Sequence, residues 1–234
     1  VNTDHGLLMG EHDWWAKVVT PFFQEIAHIP FWAYDPRNSN EINKKSNALA
    51  QTIDLGPTIL DYFDIPLTED MQGKAIFDFI EDDKEIRKAS LYGVMGGQVN
   101  VTDGQHVYMR ATTTEDNKPL FDYTLMPTHM KNRFSPRELQ EWEKVEGFGF
   151  MKGCKVMQIP TRSFPIFSAK DNPLGRGRTA TLLFDVKNDP GQTKPLNDVN
   201  IEKRMIELMI REMARNECPS EQYIRLGLPE PKRL

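Results

Sequence analysis

The segment from Thr3 to Lys17 carries the side chains best suited to chemistry. It reads Thr-Asp-His-Gly-Leu-Leu-Met-Gly-Glu-His-Asp-Trp-Trp-Ala-Lys. An ionised aspartate and a neutral imidazole both bind a divalent cation, at about 2.0–2.2 Å, which makes the adjacent Asp4 and His5 candidate metal ligands. Adjacent ligands converge where the backbone turns sharply, and Gly6 gives the backbone freedom for such a turn. Lys17 supplies a mobile point charge that suits a tetrahedral oxyanion.

A metal ion and a lysine together neutralise a phosphate or sulfate ester and stabilise the charge that develops during its transfer. The residue types alone do not show that Asp4 and His5 bind a metal ion, because an isolated Asp-His pair is more often a solvated feature of a loop than a metal site. His12 is a candidate proton donor to a leaving oxygen, since its unperturbed pKa is near neutrality. The alternative, which we favour, is an imidazole that orders the loop. Trp14 and Trp15 either wall a substrate pocket or anchor the loop in the core. His106 and His129 are expected to be structural.

The composition narrows the class of protein. The chain has 234 residues and a net charge of −5, and it has no long basic run interleaved with aromatic residues, so we expect no nucleic-acid partner. No stretch approaches the roughly 18–20 apolar residues of a membrane span, so we expect no membrane partner. Cys154 and Cys218 are too few for a disulfide framework and are expected to be reduced.

The first 88 residues have the pattern of an α/β layer. The continuous apolar block Ile29–Tyr34 predicts a short buried strand of a parallel sheet. Residues 53–63 predict a helix packed on that sheet, with Asp54 as a cap and Pro57 in its first turn. Its buried face is predicted to consist of apolar residues at helical spacing: Ile59, Leu60 and Phe63.

From residue 89 the pattern changes to short β-rich runs with turns between them. The predicted strands are Ser90–Met95, Gln98–Val101, His106–Ala111, Leu120–Met126, Lys155–Ile159 and Thr179–Val186. Asp103-Gly104 predicts a hairpin. A capping box at Ser135–Glu138 predicts a helix over about 136–146, and apolar residues at helical spacing predict another from Ile201 to about residue 214. We therefore expect two parts, residues 1–88 and 89–234.

These landmarks resemble one enzyme family, the sulfatases and phosphonate monoester hydrolases of the alkaline phosphatase superfamily. Residues 3–17 match the family pattern Ser/Thr-Asp-His-Gly…Gly-Asp/Glu-His…Lys. Residues 25–30 are similar to its Glu…Arg-Val-Pro, with His28 in place of Arg. Three further landmarks follow in the family's order: Thr52–Leu60, Met71–Lys74 and Leu183–Gln192, the last with Gln192 in place of Glu.

The resemblance implies a fold and a site. The fold is the C-terminal part of an α/β/α sandwich with a mixed sheet, followed by a small antiparallel sheet and a long helix. Asp4 and His5 are implied metal ligands, with calcium, manganese and zinc all open, and Lys17 is implied to contact the anion of a small sulfate or phosphate ester. The family's nucleophile is a formylglycine made from Cys or Ser in a Cys/Ser-x-Pro-x-Arg motif near the N-terminus, and neither cysteine of this chain stands in that motif.

We therefore expect a C-terminal half that is inert alone and whose partner is the N-terminal half of the same protein. A second copy of the chain, giving a homo-oligomer, is another way to cover the sheet edge left exposed. Three functions stay open: hydrolysis of sulfate esters, hydrolysis of phosphodiesters or phosphonate monoesters, and a non-catalytic structural or interaction module. The Pro- and Gly-rich stretch Thr161–Arg178 carries three arginines and is expected to be a solvated loop: Arg162, Arg176 and Arg178.

Overall fold

The N-terminal part of the protein consists of short elements. In this computed structural model the described residues are 1–17, 20–37, 45–77, 84–114, 116–126, 128–129, 132–161 and 180–232. The first elements are a two-stranded antiparallel hairpin and two helices: β1 (Leu8–Met9), β2 (Trp15–Ala16), α1 (Gln24–Ala27) and α2 (Leu55–Tyr62). A short 3-10 turn, Thr52–Asp54, leads directly into α2.

A four-stranded antiparallel sheet forms the centre of the C-terminal part. Its strands are β3 (Ser90–Gly93), β4 (Val99–Thr102), β5 (His106–Arg110) and β9 (Leu182–Asp185), in the order β3-β4-β5-β9. A second, three-stranded antiparallel sheet has the order β6-β8-β7 and is made of β6 (Phe121–Thr124), β7 (Glu143–Val145) and β8 (Val156–Pro160). Two helices end the chain: α3 (Val199–Arg215) and α4 (Ser220–Leu226).

The four-stranded sheet is covered on both faces because successive side chains of a strand point to opposite sides. On β5, Tyr108 contributes to the cluster that packs against α3, whereas Val107 and Met109 contribute to the cluster on the other face. The α3 side is filled by methionines at helical spacing: Met205, Met209 and Met213. On the other face Phe23, the residue before α1, contacts Phe184 edge-on with ring centroids 6.3 Å apart. This contact attaches the N-terminal segment to the sheet.

Most of the predicted C-terminal elements are confirmed. β3, β4, β5, β6, β8 and β9 fall on the six predicted runs, and α3 contains the helix predicted from Ile201 to about residue 214. The Asp198 carboxylate caps α3 by accepting hydrogen bonds from the backbone amides of Asn200 and Ile201. The Asp103-Gly104 hairpin joins β4 to β5, with Gly104 at φ +90°. The short helix α4 has no counterpart among the predicted elements.

The predicted helix over residues 136–146 is wrong. The capping box does form, because the Ser135 amide donates to Glu138 Oε2 at 2.7 Å and the Glu138 amide lies 3.3 Å from Ser135 Oγ. The helical turn that follows spans only Glu138–Gln140. The chain then enters β7, which pairs with β8. Strand pairing with a distant segment thus prevails over a local start signal.

Two predictions for the N-terminal part are also wrong. The block Ile29–Tyr34 forms a single antiparallel bridge between Phe31 and Asn2, and Trp32 is 65% exposed. The predicted apolar face of α2 is turned outwards, with Ile59 57% and Phe63 63% exposed. The residues that α2 does bury are Pro57 and Thr58. Both predictions assumed a covering layer that the described residues of this chain do not provide.

Asp54 does not cap α2 with its side chain. Its carboxylate is fully buried and paired with Arg87 instead. The boundary between residues 88 and 89 stays a prediction. Within the described ranges, no helix is both long and apolar enough to cross a membrane.

Candidate active site

The short helix α1 is the support of the candidate site. The Gly6 amide donates to the carbonyl of Ile26 at 3.0 Å. A Cβ atom on Gly6 would lie 1.7 Å from the carbonyl oxygen of Glu25, and the φ of Gly6 is outside the left-handed region. Glycine is therefore required here for close approach of two backbones, rather than for the freedom to turn that the sequence suggested.

The geometry of Asp4 and His5 suits the chelation of one cation. His5 Nδ1 lies 2.9 Å from the carbonyl oxygen of Gly6. A carbonyl only accepts, so Nδ1 carries a proton, and the neutral tautomer with this hydrogen bond has its lone pair on Nε2. Nε2 is 3.5 Å from Asp4 Oδ2. Two donor atoms at 2.1 Å from one ion, with a tetrahedral angle between them, are about 3.4 Å apart. The two side chains thus fit a shared metal ion.

Electrostatics favour the charged form of Asp4. A hydrogen bond from its own backbone amide is the largest cause that lowers the pKa of this carboxyl. Its side chain is 83% exposed and that of His5 38% exposed, so both remain open to further ligands. Among the described residues, no three His, Cys, Asp or Glu side chains come together as a metal site. The pair is thus at most part of a coordination shell.

The β1–β2 hairpin returns the chain towards this pair. Leu8 is opposite Ala16, and continuing the register by one residue puts Lys17 opposite Leu7, two residues after His5. Leu8 is buried, whereas Leu7 and Lys17 are exposed. The hairpin therefore brings an exposed lysine to the end at which Asp4 and His5 lie.

His12 lies in the turn of the same hairpin and is packed. Its ring stacks on Phe23, with centroids 3.5 Å apart and planes 10° apart. His12 Nε2 is 3.6 Å from Glu25 Oε2, and both atoms are enclosed without a hydrogen-bond partner among the described residues. This placement suits an imidazole that orders the loop. Trp15 is 75% exposed and is not a core anchor, while Trp14 is half-buried.

A distant residue also supports α1, and sequence reasoning missed its role. The Oε1 atom of Gln192 accepts a hydrogen bond from the backbone amide of Gln24, the first residue of α1, at 2.7 Å. Gln192 is 3% exposed and has φ +47°. The only signal in the sequence is its place at the end of the Leu183–Gln192 landmark, where glutamine replaces the family's glutamate. The turn after β9 thus touches the helix on which Gly6 packs.

His106, His129 and the two cysteines take no part in this arrangement. His106 Nδ1 lies 3.1 Å from an Nη2 of Arg204, and His129 Nε2 lies 2.7 Å from Glu138 Oε1. Cys154 and Cys218 are both free. The three arginines of the 161–178 stretch, Arg162, Arg176 and Arg178, lie outside the described residues.

Comparisons with known proteins find sulfatases similar to this chain. The chain is 29% identical over 93 residues to an arylsulfatase of Clostridium perfringens, a match covering 39% of the chain and 19% of the relative. It is 23% identical over 154 residues to an N-acetylglucosamine-6-O-sulfatase of Bacteroides thetaiotaomicron, covering 61% of the chain and 27% of the relative. The chain thus spans less than a third of the length of these relatives.

A solved structure shows the fold. A protein in complex with its substrate D-glucosamine-2-N,6-O-disulfate superposes with a TM-score of 0.58 at 13% identity, covering 94% of this chain and 34% of the other. This likeness confirms the predicted fold class, the C-terminal part of an alkaline-phosphatase-like α/β/α sandwich followed by a small antiparallel α+β unit. A family model described as "N-sulphoglucosamine sulphohydrolase, C-terminal" matches residues 10–145, a stretch that includes His12 and Lys17 and begins after Asp4 and His5. By this match, which spans more than half of the chain, the protein belongs to that sulfatase family as a C-terminal portion.

Proposed function

We propose that this chain is the C-terminal portion of a metal-dependent hydrolase of sulfate esters. The observation that carries the proposal is the Asp4–His5 pair, with the His5 tautomer set by Gly6 and two donor atoms 3.5 Å apart. The family match and the two sulfatase relatives support the sulfate ester as substrate.

Each residue then has a task. Asp4 Oδ2 and His5 Nε2 hold a divalent ion, and calcium, manganese and zinc all accept such oxygen and nitrogen donors. The bound ion supplies Lewis-acid neutralisation of the ester's negative charge. Lys17, at the base of the hairpin, binds a sulfate oxygen with its ammonium group. Glu25 and His12 hold the hairpin against α1, so that the lysine and the ligand pair keep their relative position.

The nucleophile is proposed to come from the remaining length of the protein as a formylglycine. Burial raises the pKa of the Cys218 thiol to about 12, so it is protonated and unsuited to attack. Cys154 is exposed but has no proline two places on. The chain alone is accordingly expected to be inactive.

The partner that completes the site is proposed to be the N-terminal half of the same protein. Large apolar side chains are exposed on the block 29–34 and on α2, and such clustered exposure is typical of an interface. They are Trp32, Tyr34, Ile59 and Phe63. A second copy of the chain is the alternative cover, and a size measurement of the full-length protein separates the two.

A second candidate substrate is a phosphodiester or phosphonate monoester. The observation that favours it is the identity of the second ligand, because the Asp-His pair, unlike Asp-Asn, is shared with the phosphonate hydrolases. The proposed anion grip by Lys17 would serve either ester.

The test compares turnover of an aryl sulfate and an aryl phosphodiester by the full-length protein, together with its metal content. Lys17→Ala is expected to lower kcat by roughly 10²–10³-fold, as the loss of one transition-state charge partner does. Asp4→Asn and His5→Ala are expected to lower both turnover and bound metal. The matched controls are Lys155→Ala and Asp70→Asn in exposed ion pairs of the same chain.

Each part of the proposal has its own contrary result. Faster turnover of the phosphodiester would make the second candidate the function. Unchanged metal content in both ligand variants would remove Asp4 and His5 from the site. A full-length protein that binds no metal and turns over neither ester would be the non-catalytic module.

A further inference from the structure

Arg225, on α4, is a buried cation without an acidic partner. It is 2% exposed. Its Nε donates to Gln222 Oε1 at 2.9 Å, and its Nη1 donates to Asn117 Oδ1 at 2.9 Å and to the carbonyl of Gly97 at 3.1 Å. All three acceptors are neutral. Within the described ranges, no carboxylate lies within ion-pairing distance of the guanidinium. A buried charge in this condition is unfavourable unless an opposite charge compensates it.

The hydrogen-bonding capacity of Arg225 is also only partly used. A guanidinium has five N–H donors, and the three contacts above occupy those on Nε and Nη1. The two donors on Nη2 have no acceptor among the residues that the structure describes. Burial lowers the pKa of Arg225 to about 10, so the group is still protonated at neutral pH. It therefore offers a positive charge and two free donors.

A cavity adjoins this group. It has a volume of about 350 Å³, near the lower end of the range of roughly 300–1,000 Å³ for small-molecule sites. Its walls come from the β3–β4 turn, β6 and α4, and include Val99, Leu120 and Tyr123. The two charged residues that line it are Arg225 and Asp122.

We propose that this cavity binds a small oxyanion, a sulfate or a carboxylate group, against the guanidinium of Arg225. An oxyanion would both compensate the buried charge and accept from Nη2 in the fork geometry that guanidinium groups favour. Arg225 also connects α4 to the Gly97 turn and to Asn117, so the bound anion would stabilise the packing of three segments. The site includes none of Asp4, His5, His12 or Lys17, and the proposal does not depend on the proposed function.

The experiment is a titration of the full chain with sodium sulfate or sodium acetate at constant ionic strength, kept with sodium chloride. The readouts are the ¹H–¹⁵N resonance of the Arg225 Nε–H group and the thermal midpoint. We expect one of the two oxyanions to give a saturable shift of the resonance and to raise the midpoint, while chloride alone gives neither. The anion that saturates at lower concentration identifies the class of ligand.

Three variants keep the proposal falsifiable without truncating Arg225. Met95 lines the cavity and is 45% exposed, so Met95→Trp should fill it and weaken binding at least tenfold. Met126 is 54% exposed and does not line the cavity, and Met126→Trp should leave binding unchanged. Asp122→Asn removes a negative charge that would repel the bound oxyanion, and it should tighten binding by roughly threefold. The proposal is overturned if neither anion saturates the resonance, or if Met95→Trp and Met126→Trp have equal effects.

Discussion

Substituting Asp54 by asparagine tests how the segment that carries α2 is held. The Asp54 carboxylate is completely buried and accepts two hydrogen bonds from Arg87, at 2.6 and 2.7 Å. It also accepts from the backbone amides of Gln51 at 2.7 Å and Lys74 at 2.9 Å. The Arg87 side chain is only 7% exposed. Asparagine keeps the shape but removes the charge, so the guanidinium would be left buried and unpaired.

The expected cost follows from this burial. Removing one partner of a buried ion pair costs about 3–5 kcal/mol in the free energy of unfolding, which for a chain of this size lowers the thermal midpoint by roughly 6–20 °C. The matched control is Asp70→Asn, because Asp70 is 44% exposed and pairs with Lys152, itself 71% exposed. An exposed pair of this kind contributes at most about 1 kcal/mol. Urea denaturation of both variants at pH 7 measures the difference.

The pH dependence of stability gives a second readout of the same pair. Burial alone would raise the pKa of Asp54, but the hydrogen bonds from Arg87, Gln51 and Lys74 outweigh it and lower the pKa below its ordinary value. The stabilisation is therefore complete above the unfolded pKa, near 3.9, and is lost as the pH falls through the lower folded pKa. Asp54→Asn should flatten this acid limb. Equal destabilisation by Asp54→Asn and Asp70→Asn, with an unchanged acid limb, would refute the reasoning.

Two further predictions concern the glycines and the thiols. Gly6→Ala should destabilise the chain and lower metal affinity by tenfold or more, because the new Cβ would collide with a backbone oxygen. The control is Gly56→Ala in α2, where a Cβ would meet no atom within 4 Å, and it should stabilise the chain by about 0.8 kcal/mol. Calorimetry measures both variants, and thermal midpoints equal to that of the parent would contradict this prediction. Cys154 is exposed and should react with iodoacetamide at pH 8 much faster than Cys218, because burial raises the pKa of the Cys218 thiol to about 12. Mass spectrometry of the labelled native protein measures both rates, and equal rates would show that Cys218 is accessible and ionised.

The sequence predicted the C-terminal part well because its signals are local. Alternating and helical spacing located six strands and α3, and the Asp103-Gly104 hairpin is a short-range signal. The helix predicted over 136–146 failed because β7 pairs with β8, a non-local event. The apolar side chains of Ile29–Tyr34 and α2 predict buried faces, because apolar surface is usually covered by another element. Among the described residues, no element covers these faces.

Only the N-terminal residues of the candidate site could be predicted from the sequence. The residue types and spacing of Asp4, His5 and Lys17 identified them, since ligands and anion partners have a chemical signature. The role of Gln192 could not be predicted, because the residue that donates a hydrogen bond to it, Gln24, is 168 residues away in the sequence. The burial of Arg225 without an acidic partner could not be predicted either, because a single arginine in a short helix has no sequence pattern that indicates it.

The central claim is that Asp4 and His5 share a metal ion, and a crystal structure of the full-length protein soaked with manganese tests it most directly. The claim predicts an anomalous peak within about 2.3 Å of both Asp4 Oδ2 and His5 Nε2, and its loss in the Asp4→Asn variant. Manganese bound at a site that neither side chain touches would contradict it.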